Sequence, residues 1–340
     1  MKKPNAIIVG GTGQFGITLS KQLLKKKFKV TITTRSLSKA KKKLNNKKID
    51  LKNLNILSKT QIKKLLLKYN PKIIFYLAGQ SSPGKSFYSK KETYLSNFIG
   101  CRNFLETLKK YKISSKFINF SSCEIYGDYK KKINVESKKK PISPYGFAKL
   151  KSHNETKKYR EMFDLKFYNA VIFNTESIYR PKNYLIPKIC LAAIKAKKNS
   201  LKTKFGNIKI AREWNWCEDQ CKYLLKFIQK KPQDFILSNG KFFSANQMLK
   251  FAFEYFKLDY KKFIVIDKKF IRKADSKIKK SNFLACLRRN KIKRIDKIYG
   301  KKLIHKIIHH HLNEKKHEFL YFYLPVCTFF VFSIFFISKT

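Results

Sequence analysis

The chain opens with a short apolar run, a glycine-spaced turn and a helical pattern, in that order. Ala6 to Val9 has the composition of a buried strand, the turn spaces Gly10, Gly13 and Gly16 as G-x-x-G-x-x-G, and Ile17 to Lys25 has helical periodicity. Such glycines let the backbone approach a pyrophosphate, and the helix N-terminus offers it unpaired N–H groups. A turn that only starts a helix is the alternative. The order of strand, turn and helix favours a dinucleotide-binding unit.

The alternation of strand-like and helix-like runs continues along the chain. Further strands are predicted at Lys29 to Thr33, Ile73 to Leu77, Phe117 to Ser121 and Ala170 to Phe173, with helices at Gln61 to Lys68 and Asn97 to Lys109 between them. Regular alternation of this kind predicts an α/β fold of the Rossmann type, with a doubly wound parallel sheet.

The end of the second predicted strand indicates which dinucleotide is bound. An acidic residue at this position would hold a ribose hydroxyl, but the chain has Thr34, Arg35 and Ser36. A cation and a hydroxyl suit a 2′-phosphate. The predicted cofactor is therefore NADP.

Acid–base residues follow the predicted strand that ends at Ser121. Ser122 and Glu124 are two residues apart, and Tyr145 and Lys149 are four apart, so the latter two share one face of a helix. A nearby ammonium favours the phenolate that can take a proton from a sugar hydroxyl, and Glu124 adds a second acid or base. A chance Tyr and Lys pair and a structural, turn-capping Glu124 are the alternatives.

The charge of the chain is strongly positive. There are 78 basic and 21 acidic side chains in 340 residues, a formal net charge of +57. This balance is typical of proteins that bind nucleic acid or an anionic membrane. However, the basic residues are mostly Lys spread along the whole chain, whereas phosphate-binding surfaces use clustered Arg. We therefore predict a solvated lysine-rich surface and no nucleic-acid partner, with a field that still attracts anionic nucleotide substrates.

Cysteine and histidine usage indicates no metal site. The seven cysteines are scattered without C-x-x-C spacing, which favours a reducing compartment. His309 to His311, with His305 one turn earlier, are expected to be surface residues of a late helix, although such a run could bind metal. The apolar stretch near the N-terminus is too short for a secretory signal, so a cytoplasmic location is predicted.

The C-terminal end has a different composition. Phe319 to Ser338 contains no charged residue and is long enough to cross a bilayer as a helix, but Pro325 lies inside it. Lys315 and Lys316 precede the stretch, which would keep the main body cytoplasmic. A membrane attachment, a terminal helix packed on another subunit and a spurious translated tail all remain open.

These motifs together resemble the extended short-chain dehydrogenases that act on nucleotide sugars, and most closely the GDP-mannose 4,6-dehydratase family. The resemblance runs from about Asn5 to about Ile292. It is carried by motifs that occur in the family's order: Gly10 to Gly16, Leu77 to Ser81 with Ser86-Phe87, Phe120 to Gly127, Ser143 to Lys149, Phe173 to Ser177, Gly206-Asn207 with Arg212-Glu213-Trp214, and Arg272.

The resemblance implies a dehydration by internal redox chemistry. Tyr145 would remove the proton of the hexose 4-hydroxyl, Lys149 would lower the pKa of Tyr145 and hold the cofactor ribose, and Ser122 would hydrogen-bond near O4. Glu124 would remove the C5 proton and give one to the departing 6-hydroxyl. NADP would be bound by a set of residues around these: Gly10, Thr12, Gly13, Gln14, Phe15, Gly16, Arg35, Ser36, Asn55, Ile56, Leu77, Ala78, Gly79, Tyr145 and Lys149.

The resemblance also implies a binding site for a nucleotide sugar, with GDP-mannose favoured. Arg212 and Arg272 would clamp the diphosphate, Asn174 and Lys188 would contact the nucleotide, and Ser81 the hexose. The chain departs from the family at Ser122 and Cys123, where small polar side chains are retained. It also departs at Ile178-Tyr179 and Pro187, in segments that shape the nucleotide pocket and subunit contacts.

The resemblance further implies the domain organisation. Residues 1–170 would form the NADP-binding domain, 171–312 a smaller substrate-binding part, and 313–340 a hydrophobic tail. A segment near 215–240, including Phe235 to Ser238, would rejoin the first sheet. The protein is expected to be a homo-oligomer, a dimer or a tetramer. An epimerase, decarboxylase or reductase on the same fold and a non-catalytic basic Rossmann protein are the alternative functions.

Overall fold

A seven-stranded parallel sheet is the centre of the fold. The computed structural model describes residues 3–44, 46–270 and 279–322. In chain order the strands are β1 (Asn5–Val9), β2 (Lys29–Thr34), β3 (Ile49–Asn53), β4 (Ile73–Tyr76), β5 (Lys116–Ser122), β6 (Phe167–Ile172), β7 (Thr175–Glu176), β8 (Thr203–Phe205), β9 (Ala211–Arg212), β10 (Asn215–Trp216), β11 (Asp234–Leu237), β12 (Phe243–Ser244) and β13 (Ile264–Ile266).

Helices connect the strands and cover the sheet. The α-helices are α1 (Gln14–Lys25), α2 (Leu37–Leu44), α3 (Lys59–Tyr69), α4 (Lys90–Tyr94), α5 (Gly100–Lys110), α6 (Pro144–Phe163), α7 (Leu185–Asn199), α8 (Cys217–Phe227), α9 (Ala245–Glu254), α10 (Phe283–Arg289) and α11 (Gly300–Phe322). A π-helical turn, Leu95–Ile99, joins α4 to α5, and a 3₁₀ turn, Cys123–Tyr126, follows β5.

The order of the central strands is β11-β6-β5-β4-β1-β2-β3, and each neighbouring pair is parallel. The predicted α/β fold of the Rossmann type is therefore confirmed. The strand order reverses between β1 and β4, which is where a crevice for a ligand forms in sheets of this class. β11 covers most of Phe235 to Ser238, the segment expected to return to the sheet, and it pairs with β6 at one edge.

Both faces of the sheet are buried. Successive side chains of a strand point to opposite faces, and β1 shows this directly: Ala6 and Ile8 pack into one apolar core, while Ile7 and Val9 pack into the other. Burial on both faces explains why the strands are continuous apolar runs rather than alternating ones.

The later part of the chain has a third apolar core. Helices α7, α9 and α11 pack around it, and Trp214, Phe253 and Ile304 are among its buried residues. Short strand pairs border this core: β7 with β10, β8 with β13 and β9 with β12.

The C-terminal segment is described only in part. Helix α11 ends at Phe322, so most of the apolar stretch from Phe319 to Ser338 lies outside the described residues. Within the described part of the chain, none of the helices combines the length and the apolar character needed to cross a bilayer.

Candidate active site

The predicted site residues follow the carboxyl ends of three neighbouring strands. Val9 of β1 pairs with Tyr76 of β4, and Tyr76 pairs with Asn119 of β5, so the three strands end at the same edge of the sheet. The glycine turn follows β1, Leu77 to Gly79 follow β4, and Ser122 ends β5. The sheet thereby brings these three segments to one crevice.

The glycine turn leaves room for a ligand at the start of α1. A Cβ atom on Gly16 would lie 2.1 Å from the carbonyl oxygen of Gly11, so Gly16 is required for the helix to pack on the turn. A Cβ on Gly13, in contrast, would meet no protein atom within 4 Å. Gly13 is also the N-cap of α1 and provides no side-chain hydrogen bond to it. The open space and the free N–H groups fit the diphosphate of a dinucleotide.

The next two residues of the turn are held by the rest of the chain. The Gln14 side chain donates to the carbonyl oxygen of Thr175 at 3.0 Å and accepts from the Ser177 hydroxyl at 2.8 Å. The Phe15 ring packs edge-on against Phe120, with 5.1 Å between ring centres. Gln14 therefore links the dinucleotide turn to the segment after β7.

The residues assigned to the far end of the cofactor lie after β2 and β3. Arg35 is exposed, and its guanidinium lies 3.3 Å from the Glu92 carboxylate of α4. The Ser36 N–H donates to the Thr34 hydroxyl at 3.1 Å. The Asn55 side chain accepts from the Leu57 N–H at 3.0 Å, and Ile56 is half-buried.

Ser122 and Glu124 are fixed where β5 ends. The Ser122 hydroxyl accepts a hydrogen bond of 3.2 Å from the Glu124 N–H and so caps the 3₁₀ turn. The Glu124 backbone is pressed against the start of α6, because a Cβ on Gly146 would lie 2.7 Å from the Glu124 carbonyl oxygen. Gly146 thus allows the turn and the helix to meet, which places Glu124 beside Tyr145.

Tyr145 is in the first turn of α6, whose N-cap is Ser143. Burial raises the pKa of its phenol above the ordinary value, and the hydrogen bond with Ser122 acts in the opposite direction. The negative charge of Glu124 also raises this pKa. Ser122, Glu124 and Tyr145 therefore form one interacting group.

Lys149 lies one turn further along α6 and is 5 % exposed. Its Nζ atom donates to the Phe120 carbonyl oxygen at 2.8 Å and lies 5.9 Å from the centre of the Tyr145 ring. Burial lowers the pKa of the ammonium to about 8. The structure thus brings together all four residues predicted to be catalytic.

The residues predicted to bind substrate lie in two parts of the chain. Arg212 is buried in β9, Asn174 precedes β7 with its carbonyl accepting from Asn215, and Lys188 of α7 lies over the Phe205 ring at 4.8 Å. Ser81 is exposed in the segment after β4. Arg272 lies outside the described residues.

Charged groups surround Cys123, next to Glu124. Burial raises the pKa of the Cys123 thiol to about 12, and the charges of Lys279 and Arg212 act against this rise. Lys279 was not among the sequence-predicted site residues. It is one of many lysines, and neither motif nor spacing distinguishes it, so only the folded structure shows that it lies next to Glu124.

A family model described as GDP-mannose 4,6 dehydratase matches residues 7–295 of the chain. Among curated proteins, GDP-mannose 4,6 dehydratase 1 of Arabidopsis thaliana is 28% identical over 285 residues, covering 78% of this chain and 79% of the relative. The human GDP-mannose 4,6 dehydratase is 28% identical over 276 residues, covering 74% and 73%.

Solved structures show the same fold at lower sequence identity. A UDP-glucose 4-epimerase of Thermotoga maritima with UDP-glucose has a TM-score of 0.80 at 19% identity, covering 92% of this chain and 99% of the epimerase. A dTDP-glucose 4,6-dehydratase of Bacillus anthracis in complex with NAD has a TM-score of 0.78 at 17% identity, covering 92% and 98%.

Proposed function

The chain belongs to the GDP-mannose 4,6-dehydratase family, and we propose that it is a nucleotide-sugar 4,6-dehydratase that converts GDP-mannose to GDP-4-keto-6-deoxymannose. The observation that carries this proposal is the placement of Glu124 beside Ser122, Tyr145 and Lys149. A Tyr and Lys pair alone suits the oxidation of an alcohol. A carboxylate in the same group adds the proton transfer that loss of water requires.

A nicotinamide dinucleotide would be held by the turn from Gly10 to Gly16, by Leu77 to Gly79 and by Lys149. When bound, it would supply the hydride acceptor for C4 of the hexose and the hydride donor for C6. Asn55 and Ile56 would border its adenine. We further propose that the dinucleotide is NADP, because Arg35 and Ser36 directly follow the end of β2 and offer a cation and a hydroxyl to a 2′-phosphate.

In the first step, Tyr145 takes the proton of the 4-hydroxyl as that carbon becomes a ketone. The Ser122 hydroxyl is hydrogen-bonded to the phenol and favours its charged form, and the ammonium of Lys149 lies near the same ring. We propose that the Ser122 hydroxyl turns to donate to the developing ketone oxygen once the phenol holds the proton. These three side chains thus carry the proton transfer at O4.

In the second step, the 4-ketone makes the C5 proton acidic. The Glu124 carboxylate removes this proton, and the resulting carboxylic acid gives a proton to the 6-hydroxyl. The C6–O bond breaks, water leaves, and a double bond joins C5 and C6. The proton that Glu124 takes is balanced by the proton that it gives. Hydride at C6 and a proton from the solvent at C5 complete the product, and Tyr145 releases to the solvent the proton that it took from O4.

Positive side chains would bind the diphosphate of the substrate. Arg212 is 7 % exposed, so its charge is largely shielded from bulk water. An ion pair with a phosphate is stronger in such a buried position than in water. Lys188 and Asn174 would bind the nucleotide, Ser81 the hexose, and Arg272 the diphosphate together with Arg212. Residues 1–170 would then bind the dinucleotide and residues 171–312 the substrate.

We also propose that the protein acts in the cytoplasm as a homo-oligomer, a dimer or a tetramer. The six described cysteines are buried free thiols, which supports a reducing compartment. Light scattering of the purified protein would give the oligomeric state.

The experiment that tests the proposed function is incubation of the protein with NADP+ and, in parallel, GDP-mannose and UDP- or CDP-hexoses. Mass spectrometry of the product should show the loss of one water from GDP-mannose. Loss of water only from another nucleotide hexose would retain the reaction and change the substrate. No loss of water from any of them would contradict the proposal.

A matched pair of variants separates a dehydratase from an epimerase or a reductase on the same fold. Glu124→Gln should abolish loss of water, because the amide cannot accept the C5 proton. Glu136→Gln should not, because Glu136 is exposed and pairs with Arg289 on the surface. An epimerase or a reductase does not need this carboxylate, so Glu124→Gln that still converts a nucleotide sugar as fast as the wild type would favour one of these two functions.

A further inference from the structure

A buried lysine forms an ion pair with the carboxylate assigned to the elimination step. The Lys279 Nζ atom lies 2.6 Å from Oε2 of Glu124. The Lys279 side chain is 1% exposed and the Glu124 side chain is 22% exposed. Removing an ammonium from water costs free energy unless an opposite charge compensates it. The buried Lys279 therefore depends on its partner Glu124, whereas the exposed lysines of the chain need no such partner.

Two independent attachments hold the backbone next to Lys279. On one side, the Ile133 N–H donates to the Lys280 carbonyl at 2.8 Å, and the Asn282 N–H donates to the Ile133 carbonyl at 2.7 Å. On the other side, the Ser281 N–H donates to the buried Glu213 carboxylate at 2.8 Å, and the Ser281 hydroxyl donates to the same carboxylate. The backbone that directly follows Lys279 is therefore held by the rest of the fold.

The two ends of the ion pair differ in their exposure. Oε2 of Glu124 faces Lys279, which is almost fully buried, whereas the Glu124 side chain is partly exposed. Arg212 and Glu213 lie near the same place and, like Lys279 and Glu124, act on the buried Cys123 thiol. The Glu213 carboxylate already accepts hydrogen bonds from the Ser281 and Ser238 hydroxyls. The ammonium of Lys279 is therefore the counter-charge of Glu124.

We propose that Lys279 is a positioning residue for the dehydration step, which holds Oε2 of Glu124 so that Oε1 is aimed at C5 and O6 of the hexose. This inference rests on the proposed function. Lys279 does not exchange a proton with the substrate: its ammonium fixes the orientation of the carboxylate and supplies its counter-charge before the C5 proton is taken. The first proton transfer, at O4, depends on Tyr145 and does not use Lys279.

The proposal therefore predicts that loss of Lys279 affects the two steps unequally. In Lys279→Gln the carboxylate loses the positive charge that faces it. We expect the rate of water loss to fall about tenfold to hundredfold. A well-positioned acid or base usually accelerates a reaction by more than this, and only its positioning is lost here. Formation of the 4-keto hexose in a single turnover should remain within about twofold of the wild type, and KM should change little. Lys279→Arg, which restores the charge, should recover most of the lost rate.

The test uses quenched single turnovers with GDP-mannose in D₂O, analysed by mass spectrometry. Two readouts are followed: the 4-keto hexose that has not lost water, and the deuterium incorporated at C5. Lys279→Gln should accumulate the 4-keto hexose and incorporate deuterium slowly. The control is Lys280→Met, since Lys280 is the exposed neighbour and lies over the Phe242 ring at 4.8 Å. This control should behave like the wild type.

A double variant keeps the test decisive if Lys279→Gln folds poorly. Glu124→Gln with Lys279→Gln lacks both charges and should regain the thermal stability that the single Lys279 variant loses, because no carboxylate is left without its counter-charge. Equal loss of 4-keto hexose formation and of water loss in Lys279→Gln, without rescue by Arg, would overturn the proposal. So would wild-type rates in Lys279→Gln. Failure of the wild type to dehydrate any nucleotide hexose would instead contradict the proposed function.

Discussion

Tyr145 and Lys149 lie one turn apart on the same side of α6, with the Lys149 ammonium 5.9 Å from the centre of the Tyr145 ring. The phenol is hydrogen-bonded to Ser122 at the end of β5, and the ammonium donates to Phe120 of the same strand at 2.8 Å. Strand β5 and helix α6 together therefore fix the distance between the proposed base and its neighbouring cation.

Tyr145→Phe should lower kcat by about 10²- to 10⁴-fold, because the variant cannot take the proton from the 4-hydroxyl. Only one hydrogen bond is lost, so the free energy of unfolding should fall by only about 1 kcal/mol. Steady-state kinetics and urea unfolding measure the two effects. Tyr159→Phe, on the same helix and packed edge-on against Phe163, is the control and should keep full activity. Equal activity of the two variants would exclude Tyr145 as the base.

Two glycines of the first turn should respond differently to substitution by alanine. Gly16→Ala should lower the free energy of unfolding by about 1–3 kcal/mol, because its Cβ would lie 2.1 Å from the Gly11 carbonyl oxygen. Gly13→Ala should change stability by less than about 1 kcal/mol and weaken dinucleotide binding about tenfold. Its Cβ would fill open space that the diphosphate needs.

Calorimetric titration with NADP+ and thermal unfolding would test this pair of glycine variants. Unchanged dinucleotide affinity in Gly13→Ala would show that the ligand does not approach this residue.

Arg35→Ala should weaken the binding of NADP+ about tenfold to hundredfold and change the binding of NAD+ little. The reason is that a charge-assisted hydrogen bond to a phosphate contributes about 1.5–3 kcal/mol, and NAD+ lacks this phosphate. The exposed ion pair of Arg35 with Glu92 contributes little to stability, so the fold should be unaffected. Lys39→Ala, on the exposed surface of α2, is the control. An equal loss of affinity for NADP+ and for NAD+ would show that Arg35 does not bind the 2′-phosphate.

Glu176 should make the stability of the protein depend on pH. Burial raises the pKa of its carboxyl from the ordinary 4.5 to about 7 in the folded state, and Arg180 opposes the rise only in part. As pH increases from about 4.5 to 7, the unfolded chain releases this proton while the folded chain keeps it. The contribution of Glu176 to the free energy of unfolding therefore becomes less favourable over this range and is constant above it.

The corresponding measurement is urea unfolding of the wild type and of Glu176→Gln at pH 5 and at pH 8. The variant should gain about 2 to 3 kcal/mol relative to the wild type between these pH values. Glu218→Gln is the control, since Glu218 is exposed on α8 and pairs with Lys222. The same pH dependence in the wild type and in Glu176→Gln would mean that Glu176 is ionised in the folded protein.

Local patterns in the sequence predicted five of the seven strands of the central sheet. The apolar runs are buried on both faces, so their composition identifies β1, β2, β4, β5 and β6 to within a few residues. Helix α1 begins at Gln14, three residues before the predicted Ile17, because the glycine turn passes directly into the helix. The predicted helix from Asn97 to Lys109 begins within the π-helical turn that joins α4 to α5. Periodicity alone does not indicate such a turn.

The site was predictable where its residues lie in motifs and not where only the fold brings them together. Ser122, Glu124, Tyr145 and Lys149 belong to two short segments with recognisable spacing. Lys279 is more than 100 residues away from them in the sequence, and it reaches Glu124 because Ser281 is attached to Glu213. In a lysine-rich chain such a residue cannot be predicted from the sequence, because a buried lysine and an exposed lysine are the same letter without a motif around them.

The proposed reaction moves one hydrogen from C4 to C6 of the same hexose while water is lost. GDP-mannose that carries deuterium at C4 tests this transfer, with the product analysed by NMR and mass spectrometry. We expect a product that is lighter by one water and carries the deuterium on C6. A product that keeps the deuterium at C4, or one from which the deuterium has been lost to the solvent, would rule out this internal transfer.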